Sequence, residues 1–412
     1  MAITKREDIY IGLDVGSTKV CCIVGLQEEG EALPSIIGVG VAPTTGMRKG
    51  EVIDVDETVS SITAAVDEAE RISGIAIDRA TISIDGAHIT SQNSKGVIAV
   101  GRADHEIGLD DLQRVEEAAT AIQLPLNREI VQVFPRFYSV DAQHNIKDPV
   151  GMSGVRLEVE THVITGATPT LKNLDRSIYQ VGIEIQSRVM VPLAAARAVL
   201  TKRQKELGVA IVDIGGGTTG VAVYEEGDVL SSSIIPVGAN HITSDLAIGL
   251  RTDIDVAEKI KLTHAKAYYP KGVPDDMIKI DELGASSDPV SRKFLQEIVA
   301  ARLDEIFSLV QAELKKVGKE QLLPGGIVLT GGGAKLAGID DLAKAKLKLP
   351  VIIGKPEGFS GIVDRVNDPA FATPIGLMLE NMSYGPATTS RTNAKLGETV
   401  DKLKARFKKF LP

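Results

Sequence analysis

Residues 209–224, VAIVDIGGGTTGVAVY, set Asp213 at the end of a β-branched apolar run and follow it with Gly215, Gly216, Gly217, Thr218 and Thr219. Successive glycine N–H groups in a tight turn make a concavity for anions, and without a Cβ the backbone can lie directly against a phosphate. The threonines add hydroxyl donors, and a neighbouring aspartate can hold a magnesium ion through water. The chemistry implied is polyphosphate binding with a divalent cation. Taken singly, such a turn also fits a hairpin with no ligand.

The pattern occurs twice. IYIGLDVGSTKVCCIVG, residues 9–25, repeats it, and laying Asp14 on Asp213 sets Gly16 on Gly215, Ser17 on Gly216, Thr18 on Gly217 and Lys19 on Thr218. An apolar strand flanks each turn in both copies, which is an internal duplication. Two such turns, one from each half of the chain, can face each other across a cleft with Asp14 and Asp213 both directed at the metal. A third glycine turn, Gly331, Gly332 and Gly333 with Lys335, follows the apolar run GGIVLT and precedes a helix expected from near Leu336. Three turns in this order resemble the actin, Hsp70 and sugar-kinase superfamily. The resemblance implies an α/β fold of two duplicated lobes that binds ATP and Mg2+, the first two turns holding phosphates and the third lying against the adenosine.

Composition agrees with two lobes. A chain of 412 residues exceeds what one core organises, and 43% hydrophobic with 25% charged residues is ordinary for a globular protein. A net charge of -9 and only 4% aromatic residues exclude nucleic acid as an expected partner. Cys21 and Cys22 are adjacent in an expected strand, so their side chains point to opposite faces and are read as reduced packing residues. The histidines show no metal-ligand spacing, and no GxSxG elbow is present. No apolar run reaches the ~20 residues of a membrane span, and MAITKREDIY lacks the apolar core of a signal peptide. A cytoplasmic protein is expected.

The elements that must position the turns follow from periodicity. A meander of three strands runs from Ile9 to Pro43, and a helix over 56–72 carries Val59, Ile62, Val66, Ala69 and Ile72 at three-to-four spacing. Strand ATISIDG leads out into a compact insert containing the strand-like GVIAVG, a helix over 109–122 and the strands EIVQVF and RFYSV. A helix over 171–181 and strand IEIQSRV return to the first lobe, followed by VPLAAARAVLTKRQKELG, read as one helix. In the second lobe, helices are expected over 255–265 and through SRKFLQEIVAARLDEIFSLVQAELKKVG, with Phe294, Ile298, Ala301, Leu303 and Ile306 toward the core.

The runs GAHITSQNSKGVIAV, IKDPVGMSGVRLE and IPVGANHITSDLA narrow the resemblance to FtsA, the bacterial cell-division actin homologue, over nearly the whole chain. That resemblance implies an actin-like fold with an FtsA-type inserted α/β subdomain. The expected parts are a first-lobe core of 1–85 with 164–203 and 370–385 (subdomain 1A) and an insert of 86–163 (1C). The second lobe comprises 204–235 with 319–369 (2A) and 236–318 (2B), followed by a linker, 386–394, and a terminal helix, 395–412. Subdomain 2B is expected to bind the tail of FtsZ, the tubulin-like division protein. The insert is expected to meet neighbouring filament subunits and later divisome proteins. Glu258 and Lys261 stand where the family contacts ribose and adenine, although on spacing alone they also read as a solvated ion pair.

Many superfamily members place a glutamate or glutamine just before a proline-containing helix start, where it orients the attacking water. Here that position is Val191, so at most slow ATP hydrolysis is expected. Two rivals are weighed: PilM, the pilus-assembly actin homologue with a similar insert, and a kinase of the superfamily, for which no acidic base is found beyond the two metal-directed aspartates. The tail separates them. On a helix, Leu396, Val400, Leu403, Phe407, Phe410 and Leu411 share one stripe, flanked by Lys395, Lys402, Lys404, Arg406, Lys408 and Lys409 against Glu398 and Asp401. At roughly 24 Å such a helix is too short and too charged to span a bilayer, but it can lie on an anionic membrane surface. FtsA-like chains end in a membrane-targeting helix of this kind. The implied place is the cytoplasmic face of the cell membrane at the division site.

Overall fold

The computed structural model describes residues 9–28, 30–101, 104–268, 275–279 and 289–383. Strands β1 (Ile9–Val15), β2 (Lys19–Leu26) and β3 (Ser35–Pro43) form the expected antiparallel meander. Cys21 and Cys22 are free and buried on opposite faces of β2, each in a different hydrophobic core. A short hairpin, β4 (Met47–Arg48) and β5 (Glu51–Val52), leads into α1 (Val55–Ser73). The Asp54 side chain accepts from the Glu57 N–H at the start of α1, and Gly74, at φ 70°, supplies the left-handed residue that ends it. Strand β6 (Arg79–Ile84) then lies parallel to β1.

The insert has its own antiparallel sheet and its own core around Leu112, Val115, Leu157 and Val159. It runs through β7 (Thr90–Ala99), α2 (Leu109–Thr120), β8 (Arg128–Val140), β9 (Gln143–Ile146) and β10 (Arg156–Ala167), in the sheet order β7-β10-β8-β9. The expected strands EIVQVF and RFYSV are one strand, β8. Pro135 brings no ladder donor, and the register slips there: Thr161 pairs with Pro135 and Glu160 with Phe137, which leaves Arg136 as a bulge. Strand β7 also starts earlier than expected, at Thr90.

After α3 (Thr168–Gln180), β11 (Glu184–Met190) joins β6 in parallel and completes the sheet β11-β6-β1-β2-β3. The stretch read as one helix is two, α4 (Val191–Val199) and α5 (Lys202–Leu207). Leu200 is extended between them, and the Thr201 hydroxyl caps the second by accepting from the Gln204 N–H.

The second lobe repeats the plan. Strands β12 (Val209–Ile214), β13 (Thr219–Glu225) and β14 (Asp228–Ile235) form a meander, followed by α6 (Ala239–Leu250), α7 (Ile254–His264), the short pair β15 (Met277–Ile278) and β16 (Val290–Ser291), and α8 (Arg292–Lys316). Strand β17 (Ile327–Thr330), helix α9 (Ile339–Leu347) and β18 (Val351–Ile353) close the sheet β14-β13-β12-β17-β18, and α10 (Ala372–Ser383) returns to the first lobe. The inward face of α8 includes Leu295, Val299, Leu303, Ile306, Phe307, Val310 and Leu314; of the expected stripe Leu303 and Ile306 face inward, whereas Phe294 and Ala301 are exposed and Ile298 is half-buried. A long helix with apolar residues at adjacent positions leaves its rotation open in the sequence.

Two crossing helices join the lobes. Helix α4 packs on β12 and β13 and α10 packs on β1 and β6, and they touch where Gly376 lies so close to Ala194 that a Cβ would stand 1.7 Å from its carbonyl oxygen. The insert also docks on the second lobe. His162, buried on β10, bonds Ser232 Oγ on β14 through Nε2 at 2.8 Å and Asn93 through Nδ1 at 2.7 Å. Burial, with Arg136 adding to it, pushes the His162 imidazole down to about 4, so it is neutral in this contact. Among the described residues no helix is long and apolar enough to cross a membrane. The expected linker and terminal helix, with Leu396 through Leu411, lie outside the described residues.

Candidate functional site

The first two glycine turns are built alike. The Gly16 N–H donates to the Lys19 carbonyl at 3.0 Å and the Gly215 N–H to the Thr218 carbonyl at 2.9 Å, which is the register that laying Asp14 on Asp213 requires. Gly16 and Gly215 therefore spend their amides on closing the turns. The N–H groups of Ser17, Thr18, Gly216 and Gly217 make no hydrogen bond among the described residues. In the second turn their direction is set from behind: the Gly215 and Gly216 carbonyls accept from the N–H groups of Ala239 (2.9 Å) and Asn240 (2.8 Å) at the start of α6. Because C=O and N–H oppose each other across a trans peptide, the Gly216 and Gly217 amides point away from α6.

The turns meet at the lobe junction. A Cβ at Gly216 would stand 2.3 Å from Thr18 Cγ2, and one at Gly217 would stand 2.7 Å from Ser17 Oγ. Only glycine lets the second turn approach the first so closely. Gly238 serves the same end, since a Cβ there would lie 2.6 Å from both the Gly215 and Gly216 carbonyls. The β4–β5 hairpin closes the other side, with the Gly50 N–H donating to Ser17 Oγ at 2.8 Å.

Three carboxylates converge here, where two were expected. Burial pushes Asp14 up to about 6, against the pull of Ser83 and Lys19. Burial pushes Asp213 up to about 7; the Thr373 hydroxyl and Lys19 pull it down, while Asp14 and Asp85 push it further up. Asp85, at the end of β6, is raised by burial despite the Thr218 hydroxyl and the Gly86 N–H, which both donate to it. Burial is the main cause in all three, and among the described residues no group of three acid, histidine or cysteine side chains is placed to hold a metal ion directly, so a magnesium ion here would be held by Asp14 and Asp213 through water. Asp85 lay in the run ATISIDG, and its strand-end aspartate before a glycine was a signal of the same kind as Asp14 and Asp213.

The lysines are engaged by protein. Lys19 Nζ donates to the Ala370 carbonyl at 3.0 Å and lies 4.3 Å from the centre of the Phe371 ring. Lys335, half-exposed, pairs with Asp368 at 2.5 Å. Gly331 stands beside Asp213, where a Cβ would fall 2.2 Å from its Oδ1, and at φ 83° its backbone favours glycine. A short 3-10 turn, Gly332–Lys335, follows it, and α9 begins only at Ile339 because Gly338 at φ 78° breaks the chain direction expected from Leu336. Segment 368–373 touches all three turns: Ala370 and Phe371 hold Lys19, Thr373 Oγ1 donates to Asp213 at 2.7 Å, and the Pro369 carbonyl accepts from Gly331 N–H at 3.2 Å. Sequence reading missed this segment, for which the aspartate–proline pair at 368–369 was the one local signal.

Glu258 and Lys261 are brought together on α7. Lys261 Nζ is buried 2.6 Å from Glu258 and 2.8 Å from Thr243 Oγ1, and Thr243 Oγ1 in turn donates to Glu258. Lys261 also reaches the Ala239 carbonyl at 3.4 Å, immediately behind the second turn. Val191 opens α4 directly after β11, and no side chain there can take a proton.

Two duplicated five-stranded lobes with paired glycine turns at their junction define the actin-like class. Solved structures agree in fold. The PilM-PilN type IV pilus biogenesis complex gives a TM-score of 0.66 at 16% identity, covering 90% of this chain and 98% of that one. MreB 5 of Spiroplasma citri bound to AMPPNP gives 0.54 at 14% identity, covering 98% and 100%. A family model described as cell division protein FtsA matches residues 210–376, and one described as the SHS2 domain inserted in FtsA matches residues 86–165. The cell division protein FtsA of Pseudomonas aeruginosa is 38% identical over 380 residues, covering 92% of this chain and 90% of the relative. The chain belongs to the FtsA family of cell division proteins.

Proposed function

We propose that the chain binds ATP with magnesium between its lobes, polymerises in that state and tethers the FtsZ ring to the cytoplasmic membrane through residues 395–412. The observation that carries this reading is the meeting of the two closed turns at the lobe junction, with amides at Ser17, Thr18, Gly216 and Gly217 that make no hydrogen bond among the described residues and with Asp14 and Asp213 beside them. These residues would hold the phosphates, the two carboxylates would hold the metal through water, and Gly331 to Gly333, Lys335, Glu258 and Lys261 would border the nucleoside. Magnesium supplies neutralisation of the phosphate charge. A protein of the same fold, MreB 5 of Spiroplasma citri, was solved bound to AMPPNP, which supports nucleotide binding.

With an apolar residue at 191, ATP serves chiefly as a structural ligand that stabilises the closed, polymerising state by mass action. Subdomain 2B, 236–318, is the proposed seat of the FtsZ tail, which the exposed Ile248 (77%) and Leu262 (74%) on α6 and α7 support. The insert is proposed to meet neighbouring subunits and later divisome proteins. The tail helix binds weakly alone, so polymerisation strengthens attachment by multivalency.

Sedimentation with Mg-ATP and flotation with anionic vesicles test the reading together. Pelleting should require Mg-ATP. Flotation should require residues 395–412 and anionic lipid, fall with salt and disappear when Phe407 and Phe410 become aspartate. Undiminished flotation of the truncated chain would refute the tail as the anchor.

A further inference from the structure

We infer that Asp85 is the carboxylate that positions the attacking water for whatever hydrolysis the site performs; this rests on the ATP reading above. Register places it. Strand β6 pairs with β1 so that Leu13 lies level with Ile82, and with β11 so that Met190 lies level with Ile84. Continuing both ladders, Asp85 stands level with Gly16 of the first turn and with Val191 across the other edge. Two residues beyond Ser83, which bonds Asp14, Asp85 shares the face of the sheet that carries Asp14. Yet its hydrogen bond crosses to the opposite lobe, to Thr218 of the second turn. It is thus set between the two turns, on the floor of the site.

The other acids and bases at the turns are occupied. In the reading above Asp14 and Asp213 would hold the cation, Lys19 is held by Ala370 and Phe371, and Val191 carries no polar group. Asp85 is fixed but retains acceptor capacity. One oxygen takes the Gly86 N–H at 2.8 Å and the other the Thr218 hydroxyl, which locks the carboxylate against rotation and leaves each oxygen a further lone pair. A water donating to that lone pair has its own oxygen free to face a terminal phosphorus seated on the amides of Ser17, Thr18, Gly216 and Gly217. In the step, the water oxygen bonds to that phosphorus as the bond to the bridging oxygen breaks. ADP departs with the bridging oxygen and its electron pair, and the water proton passes to Asp85 and then to solvent.

The test uses the full chain, its Asp85→Ala variant and its Asp85→Asn variant, the last of which can keep the Thr218 contact but cannot take a proton. Calorimetry measures the affinity for Mg-AMPPNP and for Mg-ADP with aluminium fluoride, and single-turnover assays follow labelled ATP. Both variants should bind Mg-AMPPNP within about threefold of wild type, lose at least about tenfold in single-turnover rate, and lose affinity for the aluminium fluoride complex by a similar factor. If wild-type turnover is too slow to measure, the aluminium fluoride arm carries the comparison. Unchanged turnover and unchanged aluminium fluoride binding overturn the inference. Parallel loss of Mg-AMPPNP also overturns it, leaving Asp85 as a support for Thr218. A wild-type chain that binds no ATP would instead bring down the ATP reading itself.

Discussion

The two lobes are one plan built twice, and they differ most at matched positions around their first strands. The sheet β11-β6-β1-β2-β3 corresponds to β18-β17-β12-β13-β14, and Asp14 corresponds to Asp213. In that frame Gly12 of the first lobe matches Ile211 of the second. Helix α10 presses on β1 so tightly that a Cβ at Gly12 would fall 2.2 Å from the Pro374 carbonyl oxygen, whereas Ile211 is fully buried in a side-chain core. After the fourth matched strand the lobes diverge again. Asp213 lies level with Thr330, so the counterpart of Asp85 is Gly332, in the third glycine turn. One lobe ends that strand in a carboxylate and an insert, the other in a bare turn. Duplication supplied the paired phosphate turns, and asymmetry supplied what stands around them.

Breaking the packing difference should have the largest effect. Gly12→Ile imposes the second lobe's residue on the first and must drive α10 off β1, with an expected cost of about 3 kcal/mol or more. Chemical denaturation should report it, and a variant of wild-type stability would show that α10 has room to move. Next in size is the metal. Asp213→Ala and Asp14→Ala should each weaken magnesium-dependent ATP binding at least about tenfold, roughly the 1.4 kcal/mol of one charge-assisted contact, while Glu226→Ala, on an exposed hairpin, should not. Equal affinity in the Asp213 variant would remove that residue from the site.

A subtler difference is the proton. Asp14 and Asp213 are raised to about 6 and about 7 from an ordinary carboxylate value of 3.8, so the folded chain binds more protons than the unfolded one between about pH 4 and pH 7. Their contribution to stability is therefore most favourable at the acid end and is lost as pH rises through that window, the reverse of a salt-bridged carboxylate. Relative to Asp14→Asn with Asp213→Asn, the ligand-free wild type should lose melting temperature as pH rises from 4 to 7. Magnesium with ATP should remove most of the difference. A flat difference would mean that neither carboxylate is desolvated in solution.

The duplication was legible because it rests on local signals, alternating strands and glycine turns, that survive in each copy. The register laid down from Asp14 and Asp213 is the one the turn-closing hydrogen bonds make. Illegible features depend on contacts distant in sequence. Pro135 splits a pattern without splitting the strand, because a bulge opposite Glu160 and Thr161 absorbs it. The rotation of α8 is set by what packs under Leu295 and Phe307, and nothing within the helix decides it. Lys19 reads as a phosphate ligand by position, yet its ammonium is held by Ala370, 351 residues away in the chain. Asp85 was passed over since its meaning comes from Thr218, 133 residues on.

The smallest expected effect separates the two lysines that reach segment 368–373, one from each lobe. Lys335 is half-exposed, with 54% of its side chain open, and its one charged partner is the partly buried Asp368. Surface pairs of this kind are worth about 0.2–1 kcal/mol and are screened by salt. Lys19 has two partners of different character, a carbonyl and an aromatic face, and its charge also bears on Asp14 and Asp213. A cation over a ring contributes about 0.5–1 kcal/mol when exposed and more when desolvated, and its hydrogen bond is not lost to salt in the same way. Lys335→Ala should therefore change stability by no more than about 1 kcal/mol, a loss that vanishes at high salt. Lys19→Ala should cost more, retain most of that cost at high salt and shift the pH window of the two aspartates upward. If the two lysines prove interchangeable in these respects, segment 368–373 acts on the turns through its backbone alone, and the asymmetry between the lobes stops at the carboxylates.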